Sequence, residues 1–199
     1  MNESRKSNIH KMAKIAILAA IAVIIMLFEI PLPFAPAFYK IDLSEVVVLL
    51  GSFAMGPVAG ILIEALKILL NLLLNGTDTA GIGELANFLI GLSFVLPAAA
   101  FYFRKKTLKH AVLGMVMGTL IMTLVGTAMN YYLLIPAYSH FYGMPIDALI
   151  GMGTAVNSHI VDLKTLVFFA TAPFNLVKGF VSSLLVLLTY KKLSPILHK

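Results

Sequence analysis

No cysteine occurs among the 199 residues. That removes disulfides, thiolate metal ligands and a cysteine nucleophile together, and leaves nothing that reports the redox compartment. The five histidines, at 10, 110, 140, 159 and 198, are too dispersed to supply a helical pair of ligands, so a metal site is not expected. A phosphate-binding G-x-x-x-x-G-K-[ST] stretch is also missing. Gly81 and Gly83 lack both the third glycine and the preceding strand of a dinucleotide fingerprint. Any ATP consumed by this system must therefore be bound by a partner. Charge is the other scarcity: 12% of positions, against about 25% in an ordinary soluble domain.

What is present is apolar, with 60% hydrophobic residues and a mean hydropathy of +0.95. The combination implies a polytopic membrane protein, a single integral-membrane unit over 1–199. At about 20 residues per crossing, the length leaves no room for a second, soluble domain. Breaks in the apolar sequence divide it into helices at about 12–30, 43–53, 57–75, 84–103, 110–135 and 163–191. Lys14 and Glu29 bracket the first, which ends in Pro31, Pro33 and Pro36 and an extended segment up to Asp42. No small-x-small cleavage site follows it, so it reads as a retained helix rather than a signal peptide. Gly51 and Gly56-Pro57 cut out the second, which is too short to cross untilted. Pro57 opens the third at its first turn. Pro136 and Gly143-Met144-Pro145 end the fifth and begin a long connection to Asp162.

Charge placement fixes the expected orientation. Arg5, Lys6, Lys11, Lys14, Arg104, Lys105, Lys106, Lys109, Lys191, Lys192 and Lys199 fall on one side, and only Lys40 and Lys164 on the other. By the positive-inside rule both termini are cytoplasmic, which requires an even number of crossings; six fits. The net charge of +6 is then an orientation signal. No basic stripe with interleaved aromatics suggests nucleic acid.

A few polar residues interrupt the spans. Lys178 sits near the middle of the sixth, where a lysine costs on the order of 2.5–3.5 kcal/mol on insertion scales. No acid on its own span neutralises it. Asn175 lies three residues back on the same face. Asn130 and Asn87 lie near the outer ends of the fifth and fourth spans. The bland alternative is that such groups merely bond neighbouring helices at about 0.6 kcal/mol each. Glu64 and Lys67, at i and i+3, are expected to pair with each other. Ala16 and Ala20 form a small-x-x-x-small ridge on the first span, and Gly114 and Gly118 another on the fifth. Either ridge serves internal packing or a partner subunit.

Several segments, in their order and spacing, resemble one family: Pro31-Leu-Pro-Phe34, Ile41-Asp-Leu-Ser-Glu45, Gly56-Pro-Val-Ala-Gly60, Lys67-Ile-Leu-Leu-Asn71, Ala86-Asn-Phe-Leu89, Asn130-Tyr131-Tyr132 running on to Ile135-Pro136, and Pro173-Phe-Asn-Leu-Val-Lys-Gly179. They are similar to the S components of energy-coupling factor (ECF) vitamin transporters, and within them to the riboflavin-binding branch. The resemblance covers about residues 12–192. It implies an all-α membrane fold of six transmembrane helices in the bacterial-type cytoplasmic membrane. It also implies a first loop that closes over the vitamin, and a complex with a coupling transmembrane subunit and two cytosolic ATPases. It implies a ligand site of Lys40, Ile41, Asp42, Asn87, Asn130, Asn175 and Lys178, and a docking ridge at Ala16 and Ala20. Riboflavin is then the transported ligand rather than a cofactor, with riboflavin phosphate (FMN) left open, and no reaction occurs on it.

The chemistry of such a ligand matches these residue types. A carboxamide both donates and accepts, which suits a uracil-like edge, whereas an ammonium only donates and suits a carbonyl or ring nitrogen. Phe34, Phe38, Tyr39, Tyr131 and Phe174 are placed to wall a fused ring. Two alternatives stand beside this reading: the same fold with thiamine or pantothenate, and an intramembrane serine protease using Ser93. The second is disfavoured because Phe94 replaces a required glycine, and His140 and His159 fall in the outer connection.

Overall fold

The computed structural model describes the backbone of residues 3–197 and the side chains of 7–190. Helix α1 (Glu3–Met26) leads to a two-residue antiparallel pair, β1 (Ile30–Pro31) and β2 (Lys40–Ile41), in which Ile30 faces Ile41. Helices α2 (Ser44–Met55), α3 (Pro57–Asn75), α4 (Ile82–Arg104) and α5 (Leu108–Met129) follow. A π-helical turn at Asn130–Leu134 joins α5 directly to α6 (Ile135–Tyr142). After α7 (Ile146–Thr154), the single-turn α8 (Leu163–Leu166) runs through a second π-helical turn, Val167–Thr171, into α9 (Ala172–Leu197).

Local chemistry accounts for most of these boundaries. Gly56, at φ 103°, makes the turn between α2 and α3 in a conformation that side chains disfavour, and Pro57 follows at the first helical position. Asp162 caps α8 by accepting from the Thr165 N–H, while the Thr165 hydroxyl oxygen accepts from the Asp162 backbone N–H, a reciprocal capping box.

Among the described residues, five helical stretches are long and apolar enough to cross a membrane: 7–26, 57–75, 82–104, 108–142 and 163–190; α2, at 12 residues, is shorter. The expected 110–135 helix is therefore longer than its sequence suggests. Pro136 does not end it, because the proline falls in the first turn of α6, just after the π-helical turn, where a missing N–H costs least. Conversely, the first helix stops at Met26 rather than near Ile30, and Ile30 joins the β pair.

Two cores hold the molecule together. One fills the space between α1, α2, α3, α4 and α5 around Val48, Leu49, Phe53, Ile63, Phe94 and Met115. Helices α4 and α5 make the most extensive pair. Gly114 and Gly118 permit this, since a Cβ on Gly114 would lie 2.6 Å from the Ala98 carbonyl and one on Gly118 would collide with that of Phe94. That small-residue ridge is spent on internal packing. The ridge on α1 is not: Ala16 and Ala20 are exposed, with Ile17 and Ile24 beside them. The second core lies under the loops, where Tyr39, Ile41, Ile135, Leu149, Ile160, Leu166 and Phe174 pack together.

Candidate functional site

Helices α1, α3 and α5 all deliver the chain to the end of the bundle that carries the β pair and α7, and a cavity of about 300 Å³ opens there. Its floor is polar. Asn130, Asn175 and Lys178 come from the two helices interrupted by π-helical turns; Asn87 comes from α4 and Asn71 from α3. Phe38, Tyr39, Lys40 and Asp42 close it from the loop after α1, and Phe174 adds an aromatic face. Glu29, Asp78 and Glu84 stand at its rim. A second cavity, lined by Phe38, Tyr138, Met144, Leu149 and Met152, adjoins it beneath α7.

The π-helical turns set the two asparagines. Each turn accommodates one residue more than an α-helical turn, and such insertions concentrate at functional sites. Asn130 opens the first, and Thr171 closes the second one turn before Asn175. Both carboxamides donate to the carbonyl four residues back, Asn130 to Gly126 at 2.8 Å and Asn175 to Thr171 at 2.9 Å. One N–H is thereby spent on each, which fixes the plane of the group and leaves the second N–H and a carbonyl lone pair for a further partner.

Tyr39 ties the loop to both turns. Its hydroxyl donates to Asn130 Oδ1 at 3.0 Å and contacts the Thr171 hydroxyl, whose hydrogen must then point to the tyrosine oxygen. Burial pushes the Tyr39 phenol up, so it remains a protonated donor. The ring stacks on Phe174 with centroids 5.2 Å apart. Sequence reasoning counted Tyr39 as an apolar wall and missed this hydroxyl; one residue shared between loop and helices leaves no periodic signal.

Lys178 has the partner that its own span lacks. Its ammonium lies 2.9 Å from Asp42 Oδ2, a pair 136 positions apart in sequence and almost wholly buried. Burial alone would raise the Asp42 carboxyl. The Lys178 ammonium, Lys67 behind it and hydrogen bonds from Ser44 outweigh that and hold it below the usual carboxylate range. Lys40 is exposed and pairs with Glu29 at 2.9 Å, which links β2 to the residue just before β1. An exposed pair of this kind contributes about 0–1 kcal/mol.

Six of the seven expected ligand residues thus converge on one cavity. The exception is Ile41, whose side chain is buried in the loop core rather than in the cavity lining. Phe34 and Tyr131 likewise lie outside that lining. Gly126 was not anticipated: a Cβ there would come within 2.8 Å of Asn175 Nδ2, so α5 can pass the carboxamide only where it has no side chain. Glu64 and Lys67 do pair, at 2.9 Å, but Glu45 of α2 shares the same ammonium at 2.8 Å.

A family model described as "ECF transporter, substrate-specific component" matches residues 10–190. The chain belongs to that family. As an ECF substrate-specific component, it is a multi-pass membrane protein and the substrate-binding subunit of a transporter, not an enzyme. Ser93 is consistent with this, since its hydroxyl donates to the Ile90 carbonyl within α4. Among curated relatives, the riboflavin transporter RibU of Staphylococcus aureus (strain TCH60) is 36% identical over 202 residues, covering 100% of both chains. The riboflavin transporter FmnP of Bacillus subtilis (strain 168) is 33% identical over 189 residues, covering 94% of this chain and 93% of its own. Among solved structures, the S component of a bacterial ECF transporter superposes with a TM-score of 0.75 at 33% identity, covering 96% of this chain and 99% of that one.

Proposed function

We propose that this chain captures riboflavin and delivers it across the cytoplasmic membrane as the specificity subunit of an ATP-driven ECF transporter. The observation that carries the reading is the convergence of Asn130, Asn175 and Lys178 on a single cavity walled by Phe38, Tyr39 and Phe174, in a chain whose full-length relatives are riboflavin transporters. A flavin offers an apolar fused ring for the aromatic faces. Its edge alternates carbonyls with an N–H, which matches two fixed carboxamides and an ammonium. Its hydroxylated tail suits Asn71 together with Asp78 and Glu84 at the rim, whose acceptors can take hydroxyl protons.

In this reading the whole chain acts as one unit of six crossings, with α2 as the short one and both termini in the cytoplasm. Lys40, Ile41 and Asp42 belong to the loop that closes over the ligand, with Ile41 holding that loop on its core and Asn87 facing the ligand from α4. The exposed Ala16 and Ala20 ridge receives the coupling transmembrane subunit, and two cytosolic ATPases supply the energy. The Tyr39 hydroxyl, which reaches both π-helical turns, holds that loop over the cavity.

Purified without added vitamin, the protein should show a flavin visible spectrum or quench the fluorescence of added riboflavin. A colourless preparation that quenches nothing, or one that prefers thiamine or pantothenate in a ligand panel, overturns the assignment. Asn175→Ala and Lys178→Ala should each weaken binding about tenfold or more, as expected for a lost charge-assisted or buried hydrogen bond. Unchanged affinity in both would place the site elsewhere.

A further inference from the structure

Behind the cavity lies a set of charges that the uptake reading does not use. Ser44 and Glu45 of α2 and Glu64 and Lys67 of α3 are fully buried, and none of them lines the cavity. The Lys67 ammonium is 2.8 Å from Glu45 Oε1 and 2.9 Å from Glu64 Oε1, and it donates to the Ser44 hydroxyl at 3.2 Å.

An ammonium has hydrogens and no lone pair, so the Ser44 oxygen must be the acceptor in that bond. The single hydroxyl hydrogen of Ser44 is then directed to Asp42 Oδ1, which also accepts the Ser44 backbone N–H at 3.0 Å. The other oxygen, Asp42 Oδ2, accepts from Lys178. Every bond in the series from Lys67 through Ser44 and Asp42 to Lys178 therefore has one permitted direction. Its far end is pinned by two carboxylates on two helices.

We propose that Ser44 and Lys67 are positioning residues for the ligand: from outside the cavity they orient Asp42, and through it the Lys178 ammonium. The inference rests on the riboflavin reading, because Lys178 must touch the ligand for its orientation to matter. One N–H of Lys178 is spent on Asp42, and two remain for the vitamin. A carboxylate free to rotate about its Cβ–Cγ bond would let the ammonium follow it. Two hydrogen bonds from Ser44 to the same oxygen stop that rotation.

A staple that merely holds α2 against α3 would use the same Lys67 contacts, so the experiment must separate the two roles. The riboflavin dissociation constant of the full chain in detergent is measured by flavin quenching, with thermal unfolding as a parallel readout. Ser44→Ala should weaken binding about tenfold when Lys178 is present, and less than about twofold in a Lys178→Ala background, since residues in one network couple. Ser44→Thr, which keeps the hydroxyl, should bind as the parent does. Ser44→Cys, a near-isosteric but weak hydrogen-bonding group, supplies the same comparison should the alanine variant fail to fold. Equal losses in both backgrounds, or parental affinity in Ser44→Ala, would overturn the relay while leaving the riboflavin reading intact. A parent chain that does not quench flavin overturns both.

Discussion

Lys178 illustrates what a single residue can and cannot disclose. Its place in an apolar stretch marks it as functional from sequence alone, because an intramembrane cation is expensive. Its partner is not visible there, since Asp42 lies 136 positions earlier in the chain, in the loop before α2. Removing one member of a buried pair leaves the other uncompensated, so Asp42→Asn should destabilise the protein by about 3 kcal/mol, and the double change Asp42→Asn with Lys178→Met should recover most of it. Thermal unfolding in detergent measures both. The sign of the acid response follows from the depressed Asp42 carboxyl. Its unfolded value is about 3.9, so its contribution is complete above that and fades as pH falls toward the lower folded value; Asp42→Asn should lose that part of the acid response. Gly126 makes the complementary case of a residue with no chemistry whose importance is spatial. Gly126→Ala should weaken riboflavin binding by crowding Asn175, at an overpacking cost of about 1–3 kcal/mol, and should have little further effect on affinity once Asn175 is alanine. No sequence pattern singles it out from the other glycines of α5.

Among the elements, those delimited by local chemistry were legible and those shaped by their neighbours were not. Gly56, Pro57 and Gly76 bound α3 at the positions their backbone preferences require, and Asp162 starts the last helical stretch as a cap should. The two π-helical turns left no such mark, because Asn130-Tyr-Tyr-Leu-Leu and Val167-Phe-Phe-Ala-Thr are ordinary membrane sequence. Their extra residue is held by tertiary contacts, Tyr39 to Asn130 and Thr171 above all. Deleting Phe168, which is exposed, should therefore restore α-helical spacing and turn the preceding segment by about 100° relative to Asn175. The expected result is a chain with unchanged helical circular dichroism and more than tenfold weaker flavin binding. Retained affinity would show that the bulge is dispensable. The β pair was similarly hidden: three prolines predict an extended segment, but not that Ile30 and Ile41 would face each other across it.

For the molecule as a whole, charge distribution and apolar content sufficed to anticipate a helical membrane bundle, while the cavity emerged only from long-range placement. Orientation is directly testable because the natural chain contains no cysteine. With Val161→Cys, a membrane-impermeant maleimide should label intact cells; with Lys106→Cys it should label only after permeabilisation. The reverse pattern would place the termini outside. One feature of the bundle also constrains how it is made. Helix α2 has 12 residues, about 18 Å of length, against a hydrocarbon core of about 30 Å. Nearly all of its side chains are buried, Glu45 among them, and it packs on α1, α3, α4 and α9. Such a segment has little to gain from lipid on its own. Because it packs on α9 as well as on its neighbours in sequence, it reaches its final environment only once α9, the last of its four packing partners to be synthesised, has closed over it. Glu45, carried on α2, is thus fully enclosed by protein only after every other helix that packs on it is in place.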